Sequence, residues 1–164
     1  MELVRIPIQE LDKVWPIVDK DIRDALAYSS QLNDSTFVYE TAKQGKFQVW
    51  VLWDKSKEQS NEKYFGVVIT EIIKRKLGKV CHIYIMTGKQ RHKWQYLIKD
   101  IEKFAKQEDC KMMELIARPG WQKILNNFGY NRTHVVLEKK IKQEEKKWVL
   151  EEEVLGEIPN NKQA

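Results

Sequence analysis

The chain has 164 residues, of which 42% are apolar and 32% charged, and a formal net charge of +5; this is the size and balance of one globular domain that buries a core without metal or disulfides. No run approaches the roughly 20 apolar residues of a membrane span, and the first seven residues lack the basic and apolar regions of a secretory signal, so a soluble, cytoplasmic protein is expected. Cys81 and Cys110 stand far apart with no second Cys or His beside them, which argues against a zinc site and a disulfide framework.

The positive charge is spread along the chain. The clusters Lys74-Arg75-Lys76 and Lys89-Gln90-Arg91-His92-Lys93 are interrupted and surrounded by acidic residues. They read as solvated faces, and nucleic acid is not the expected partner.

Residues 3–8 read as a short strand. Leu11, Val14, Trp15, Val18, Ile22, Ala25 and Leu26 follow at helical spacing, and Pro16 inside that pattern predicts a kink or a division. Asn33, Asp34 and Ser35 are cap candidates for a second short helix, which Gly45 closes in a left-handed conformation. The centre is strand-like: 47–53, then 64–73 after a polar turn at 54–63, then 80–86 after a turn at Gly78. Three strands joined by turns predict an antiparallel meander, and apolar residues on both faces predict a covering layer on each side.

Trp94, Leu97, Ile98, Ile101, Phe104 and Ala105 form one stripe, predicting a helix over 94–106. A strand over 111–117 comes next. A helix marked by Trp121, Ile124, Leu125 and Phe128 starts near Pro119 and ends at Gly129. A last strand covers 130–141, centred on Val135, Val136 and Leu137. The domain so read occupies residues 1–141. The charged tail, 142–164, embeds Trp148, Val149, Val154, Leu155 and Ile158, which dock on the domain or on a protein partner, or fray.

Several short stretches recur in a recognisable order along these elements. They are Val14-Trp15-Pro16, Gln48-Val49-Trp50-Val51, Trp94 with Ile101-Glu102-Lys103-Phe104-Ala105, and Asp109-Cys110. Arg118-Pro119-Gly120-Trp121, Phe128-Gly129-Tyr130 and Val135-Val136-Leu137-Glu138-Lys139 follow. With the element order β-α-α-β-β-β-α-β-α-β, the chain resembles the GNAT superfamily of N-acyltransferases, an α/β fold with a mixed sheet. Within it the chain is most similar to GNAT-like proteins encoded by bacteriophages and prophages, often beside virion genes. The resemblance implies a host-cytoplasmic or virion-associated protein. It also implies an acetyl-CoA site in the gap where the fourth strand parts from the fifth. Ile85, Met86, Thr87, Gly88, Lys89, Gln90, Arg91, His92, Lys93 and Trp94 map onto that site.

Acetyl transfer to an amine needs a cradle of N–H groups for the pyrophosphate, a base for the amine proton and an acid for the leaving thiolate. The superfamily's phosphate loop runs Gln/Arg-x-x-Gly-x-Gly/Ala, whereas no glycine follows Gly88 here, and Trp94 stands where backbone approaches phosphate closely. Lys89, Arg91 and Lys93 offer charge instead; the alternative is that Trp94 caps the core face and the cations are solvated. Leu125 occupies the place of the superfamily's acidic tyrosine, leaving Tyr130 and Tyr84 as substitutes. Glu71 and His82 are the candidate bases, and strict strand alternation places His82, Tyr84 and Met86 on one face and Cys81, Ile83 and Ile85 on the other. Arg118 either contacts a phosphate or substrate carboxylate, or belongs to a Pro-Gly turn with Trp121 plugging the core. The resemblance thus implies an N-acyltransferase with a degenerate loop, or an inactive relative with a structural, assembly or host-interaction role. An enzyme predicts an open gap; an inactive relative predicts Trp94 or Trp121 inside it.

Overall fold

A computed structural model describes residues 1–29 and 32–143. They fall into two compact units that meet in sequence between Trp121 and Gln122. In the first, β1 (Glu2–Arg5), β2 (Phe47–Trp53), β3 (Tyr64–Arg75), β4 (Gly78–Gly88) and β5 (Cys110–Leu115) form one sheet in that spatial order. The first four strands are antiparallel, and β5 runs parallel to β4. A parallel neighbour requires a crossover, which residues 89–109 supply.

The helices are α1 (Leu11–Ala27), α2 (Ser35–Lys43), the single turn α3 (Ser60–Lys63), α4 (Ile98–Gln107) and α5 (Pro119–Asn126). The Asp34 carboxylate caps α2 by accepting from the Phe37 N–H at 2.8 Å, and Gly45, at φ 76°, ends it. Pro16 does not divide α1: it sits in the second turn of a continuous 17-residue helix. A proline there removes one intrahelical bond, while burial of Leu11, Val18 and Ile22 holds the helix on the sheet.

The covering layers expected from the doubly apolar strands are present. Phe47, Val49 and Val51 join Val67, Ile69, Ile85, Leu11, Val18, Ile22 and Val38 in a core on the α1–α2 face. From the opposite face of β2, Trp50 meets Phe104 of α4 edge-on at 5.1 Å, and Leu52 packs with Phe65, Trp94 and Leu97. The buried polar atoms between these layers are paired: Trp50 Nε1 donates to Thr70 Oγ1, which donates to Gln48 Oε1, both at 2.9 Å.

Three further expectations change. Residues 94–106 are not one helix: 3₁₀ turns at Arg91–Lys93 and Gln95–Leu97 precede α4. Trp94, at φ −133°, lies outside helical geometry because its indole N–H reaches back to the Lys89 carbonyl at 2.8 Å. Residues 130–141 carry no strand among the described residues; alternation supplies a face, but a strand exists only where a neighbour completes its ladder. Strict alternation also fails in β4. Ile69 pairs with Ile85 and Thr70 with Ile83, so Tyr84 is the extra residue of a β-bulge. Consequently Tyr84 and Ile85 both pack on the α1–α2 core, and Met86 turns to the Trp94 side. No helix of the described residues is long and apolar enough to cross a membrane. The apolar positions singled out at 148–158 lie outside the described residues.

Candidate active site

Pairing between β4 and β5 runs from Lys79↔Cys110 to Ile83↔Leu115, where β5 ends. Beyond it β4 continues to Gly88, still paired with β3 on its other side. The two strands therefore fork at Ile83, directly before the Tyr84 bulge. Parting of parallel strands at their carboxyl ends marks the place at which α/β folds hold ligands.

One row of residues crosses the sheet just below the fork. Register sets Phe47 opposite Glu71, Glu71 opposite His82, and His82 opposite Glu114. Strand neighbours directly opposite share a face, so all four lie on the α1–α2 side. His82 is only 9% exposed, and its Nδ1 is 3.2 Å from Glu114 Oε1. Glu114 is gripped by Arg75 through two 2.8 Å bonds, Nη1 to Oε2 and Nη2 to Oε1. The Arg75 guanidinium holds the Glu114 carboxyl below the usual carboxylate range. Glu71 has no hydrogen-bond or ion-pair partner among the described residues. Tyr84 stacks on Phe47 with centroids 4.9 Å apart, and its phenol oxygen accepts from Asn33 Nδ2 at 2.9 Å. Burial pushes the Tyr84 phenol up, so it keeps its proton at neutral pH.

Met86, on the opposite face, packs against Trp94, which is 2% exposed, and the Trp121 ring lies 6.4 Å from the Trp94 ring. The turn that leaves β4 depends on glycine. A Cβ on Gly66 would come 2.3 Å from the Thr87 carbonyl oxygen, and one on Gly88 would come 2.4 Å from that of Phe65. The two strands close here backbone to backbone, and the Lys89 N–H donates to the Phe65 carbonyl at 2.8 Å. Gln90 then adopts φ 52° and opens the 3₁₀ turn.

The N–H groups of Gln90, Arg91 and His92 have no backbone acceptor among the described residues, as expected for the first donors of a helical turn. Four basic or imidazole side chains, Lys89, Arg91, His92 and Lys93, surround them, all exposed. Lys89 lies over the Phe65 ring at 4.9 Å and Arg91 over Trp121 at 4.8 Å. This donor set fits a diphosphate, such as that of acetyl-CoA, by charge and free N–H groups rather than by a glycine cradle.

Of the residues singled out in the sequence, Glu71 and His82 come together with Tyr84, and Met86 and Trp94 share the opposite cluster. Ile85 is instead buried in the α1–α2 core. Thr87 and Gly88 contribute backbone beside Gly66. Arg118 stacks on the Tyr28 ring at 4.5 Å. Tyr130 belongs to the second unit, where its N–H donates to the Leu125 carbonyl at 3.1 Å after Gly129 at φ 87°. Sequence reading missed Glu114, and it gave Arg75 to a solvated basic cluster and Asn33 to a helix cap. The nearest signal for Glu114 was its place as the lone acid of the predicted strand 111–117.

No protein-family model and no curated protein sequence matches the chain. Solved structures do. A probable acetyltransferase superposes with a TM-score of 0.62 at 11% identity, over 89% of this chain and 100% of that one. An aminoglycoside acetyltransferase from an uncultured soil metagenomic sample, in complex with sisomicin, gives a TM-score of 0.58 at 16% identity, over 86% and 96%. Glucosamine-6-phosphate N-acetyltransferase from Arabidopsis thaliana gives 0.58 at 14% identity, over 86% and 98%. A mixed five-stranded sheet with this order and these neighbours makes the fold of the chain that of the GNAT acetyltransferases.

Proposed function

We propose that the protein is a GNAT N-acyltransferase that moves an acetyl group from acetyl-CoA to a primary amine. The observation that carries this reading is the row Glu71–His82–Glu114, a buried histidine between two carboxylates at the fork of β4 and β5. Acetyl-CoA, when bound, would supply the acyl group as an activated thioester, and the N–H groups of Gln90, Arg91 and His92, with Lys89 and Lys93, would hold its diphosphate. Glu71, which has no counter-charge among the described residues, attracts the acceptor's ammonium group, which gives one proton to solvent to become the attacking amine. His82 takes the proton that the amine loses as it forms the new C–N bond. Tyr84, protonated at neutral pH, is the group that returns a proton to the departing thiolate.

The test is release of the CoA thiol in the presence of a panel of amines. Aminoglycosides, glucosamine-6-phosphate and lysine peptides span sugar and peptide acceptors. We expect turnover with at least one amine, and a loss of about 10²-fold or more in His82→Gln with folding intact. Absence of turnover with every amine, or full activity in the variant, defeats the reading.

A second reading is favoured by one observation: Trp94 is buried and hydrogen-bonded where the superfamily places glycine. On it the fold is reused without catalysis, in a phage structural, assembly or host-interaction protein, and acetyl-CoA binds only after Trp94 is cut back to alanine.

A further inference from the structure

His82 is the single buried histidine among three in the sequence; His92 and His134 are exposed. Its ring is held from one side. Glu114 Oε1 faces Nδ1 at 3.2 Å, and both oxygens of that carboxylate are fixed by the Arg75 guanidinium at 2.8 Å. The three residues come from three adjacent strands, β3, β4 and β5, so the sheet itself sets their spacing. An ionised carboxylate only accepts hydrogen bonds. The ring nitrogen that faces it must therefore carry the proton.

We propose that Glu114 and Arg75 are positioning residues for His82: the carboxylate accepts the Nδ1 proton, the guanidinium holds the carboxylate, and the lone pair of the neutral ring resides on Nε2. In free histidine the neutral ring prefers its proton on Nε2, so the arrangement reverses the tautomer that water favours. The consequence for catalysis, that Nε2 is the basic atom, rests on the acyl-transfer reading. The tautomer itself does not.

The other groups around His82 do not compete for Nδ1. Glu71 approaches from the β3 side as its cross-strand neighbour, and Glu114 is the carboxylate within hydrogen-bond distance of Nδ1 among the described residues. α1 and α2 present apolar side chains to this face of the sheet, Val18, Ile22 and Val38 among them. Among the described residues the hydrogen bonds and ion pair of Arg75 go to Glu114, whose Oε1 it shares with His82 Nδ1. The low proton affinity that Arg75 confers on Glu114 keeps the carboxylate an acceptor throughout the neutral range.

Long-range ¹H–¹⁵N correlation spectra of the ¹⁵N-labelled full chain, without cofactor, test this directly. At a pH where the rings are neutral, His82 is expected to show a protonated Nδ1 and a bare Nε2, while the exposed His92 shows the mixture typical of solvent. In Glu114→Gln, whose amide can donate as well as accept, the His82 preference is expected to collapse toward that mixture. Arg75→Gln, at a half-exposed site, provides a second variant should Glu114→Gln fold poorly; it is expected to move His82 in the same direction by a smaller amount. A wild-type His82 protonated on Nε2, or a tautomer unchanged in both variants, overturns the proposal. An enzyme found inactive with the Nδ1–H tautomer in place counts against acyl transfer and leaves the positioning of His82 standing.

Discussion

A histidine becomes a useful base when its neighbours decide which nitrogen is free, and here the neighbours are supplied by strand register. Glu114 sits 32 residues from His82 and Arg75 sits 39 residues from Glu114, yet each faces its partner across the sheet. The Arg75–Glu114 pair also bears on acid stability. The Glu114 carboxyl titrates below its ordinary value of 4.5 in the folded chain. Its contribution is therefore fully present above that value and is lost as the pH falls through the lower folded value. Backbone approach sets a second residue-scale constraint at Gly66 and Gly88, where any side chain would meet a carbonyl oxygen of the paired strand. Gly66→Ala is expected to lower stability by about 2 kcal/mol or more, read by urea denaturation, because strand backbone rather than a flexible side chain must shift.

At the scale of elements, the turn between β4 and α4 departs furthest from what spacing along the chain suggests. The apolar stripe at 94–105 is real: Ile98, Ile101, Phe104 and Ala105 are all buried on one side of α4. Trp94 and Leu97 pack with Leu52 and Phe65, Leu97 from a 3₁₀ turn and Trp94 from the junction before that turn. Periodicity reports which side chains turn inward; it does not report that an indole N–H will close the turn on the Lys89 carbonyl. We expect Trp94→Phe to cost about 1–2 kcal/mol by leaving that carbonyl unpaired, measurable in the same urea experiment. The β4 bulge escaped for a related reason. Alternation assumes a regular pleat, and nothing local to Ile83-Tyr84-Ile85 announces that one residue will go unmatched. Capping was more legible, because Asp34 and Gly45 act through chemistry local to their own positions.

For the molecule as a whole, the meander and its two covering layers followed from composition and periodicity, because strands that are apolar on both faces have one stable environment. The site did not follow so directly. Glu71 and His82 were visible as isolated polar residues in apolar strands, whereas the grip of Arg75 and Glu114 depends on long-range register. Burial of the sheet also predicts an alkaline limit to stability. Desolvation pushes the Cys81 thiol from an ordinary value of 9.0 to about 12, so the unfolded chain loses that proton first. Its contribution is intact below pH 9.0 and is lost as the pH rises through about 12. Thermal melts across this range should fall more steeply for the wild type than for Cys81→Ala; parallel curves would count against it.

Binding of acetyl-CoA by a GNAT fold without the glycine cradle, through the turn at Lys89–Lys93, is the proposal on which the acyl-transfer reading depends. Isothermal titration calorimetry of acetyl-CoA against the intact chain tests it most directly. Saturable micromolar binding is expected, weakened by at least roughly tenfold, about 1.4 kcal/mol, when Lys89 and Arg91 are both changed to alanine. No binding by the wild type at millimolar ligand, with binding gained only in Trp94→Ala, would contradict it and show the cofactor path closed by the tryptophan.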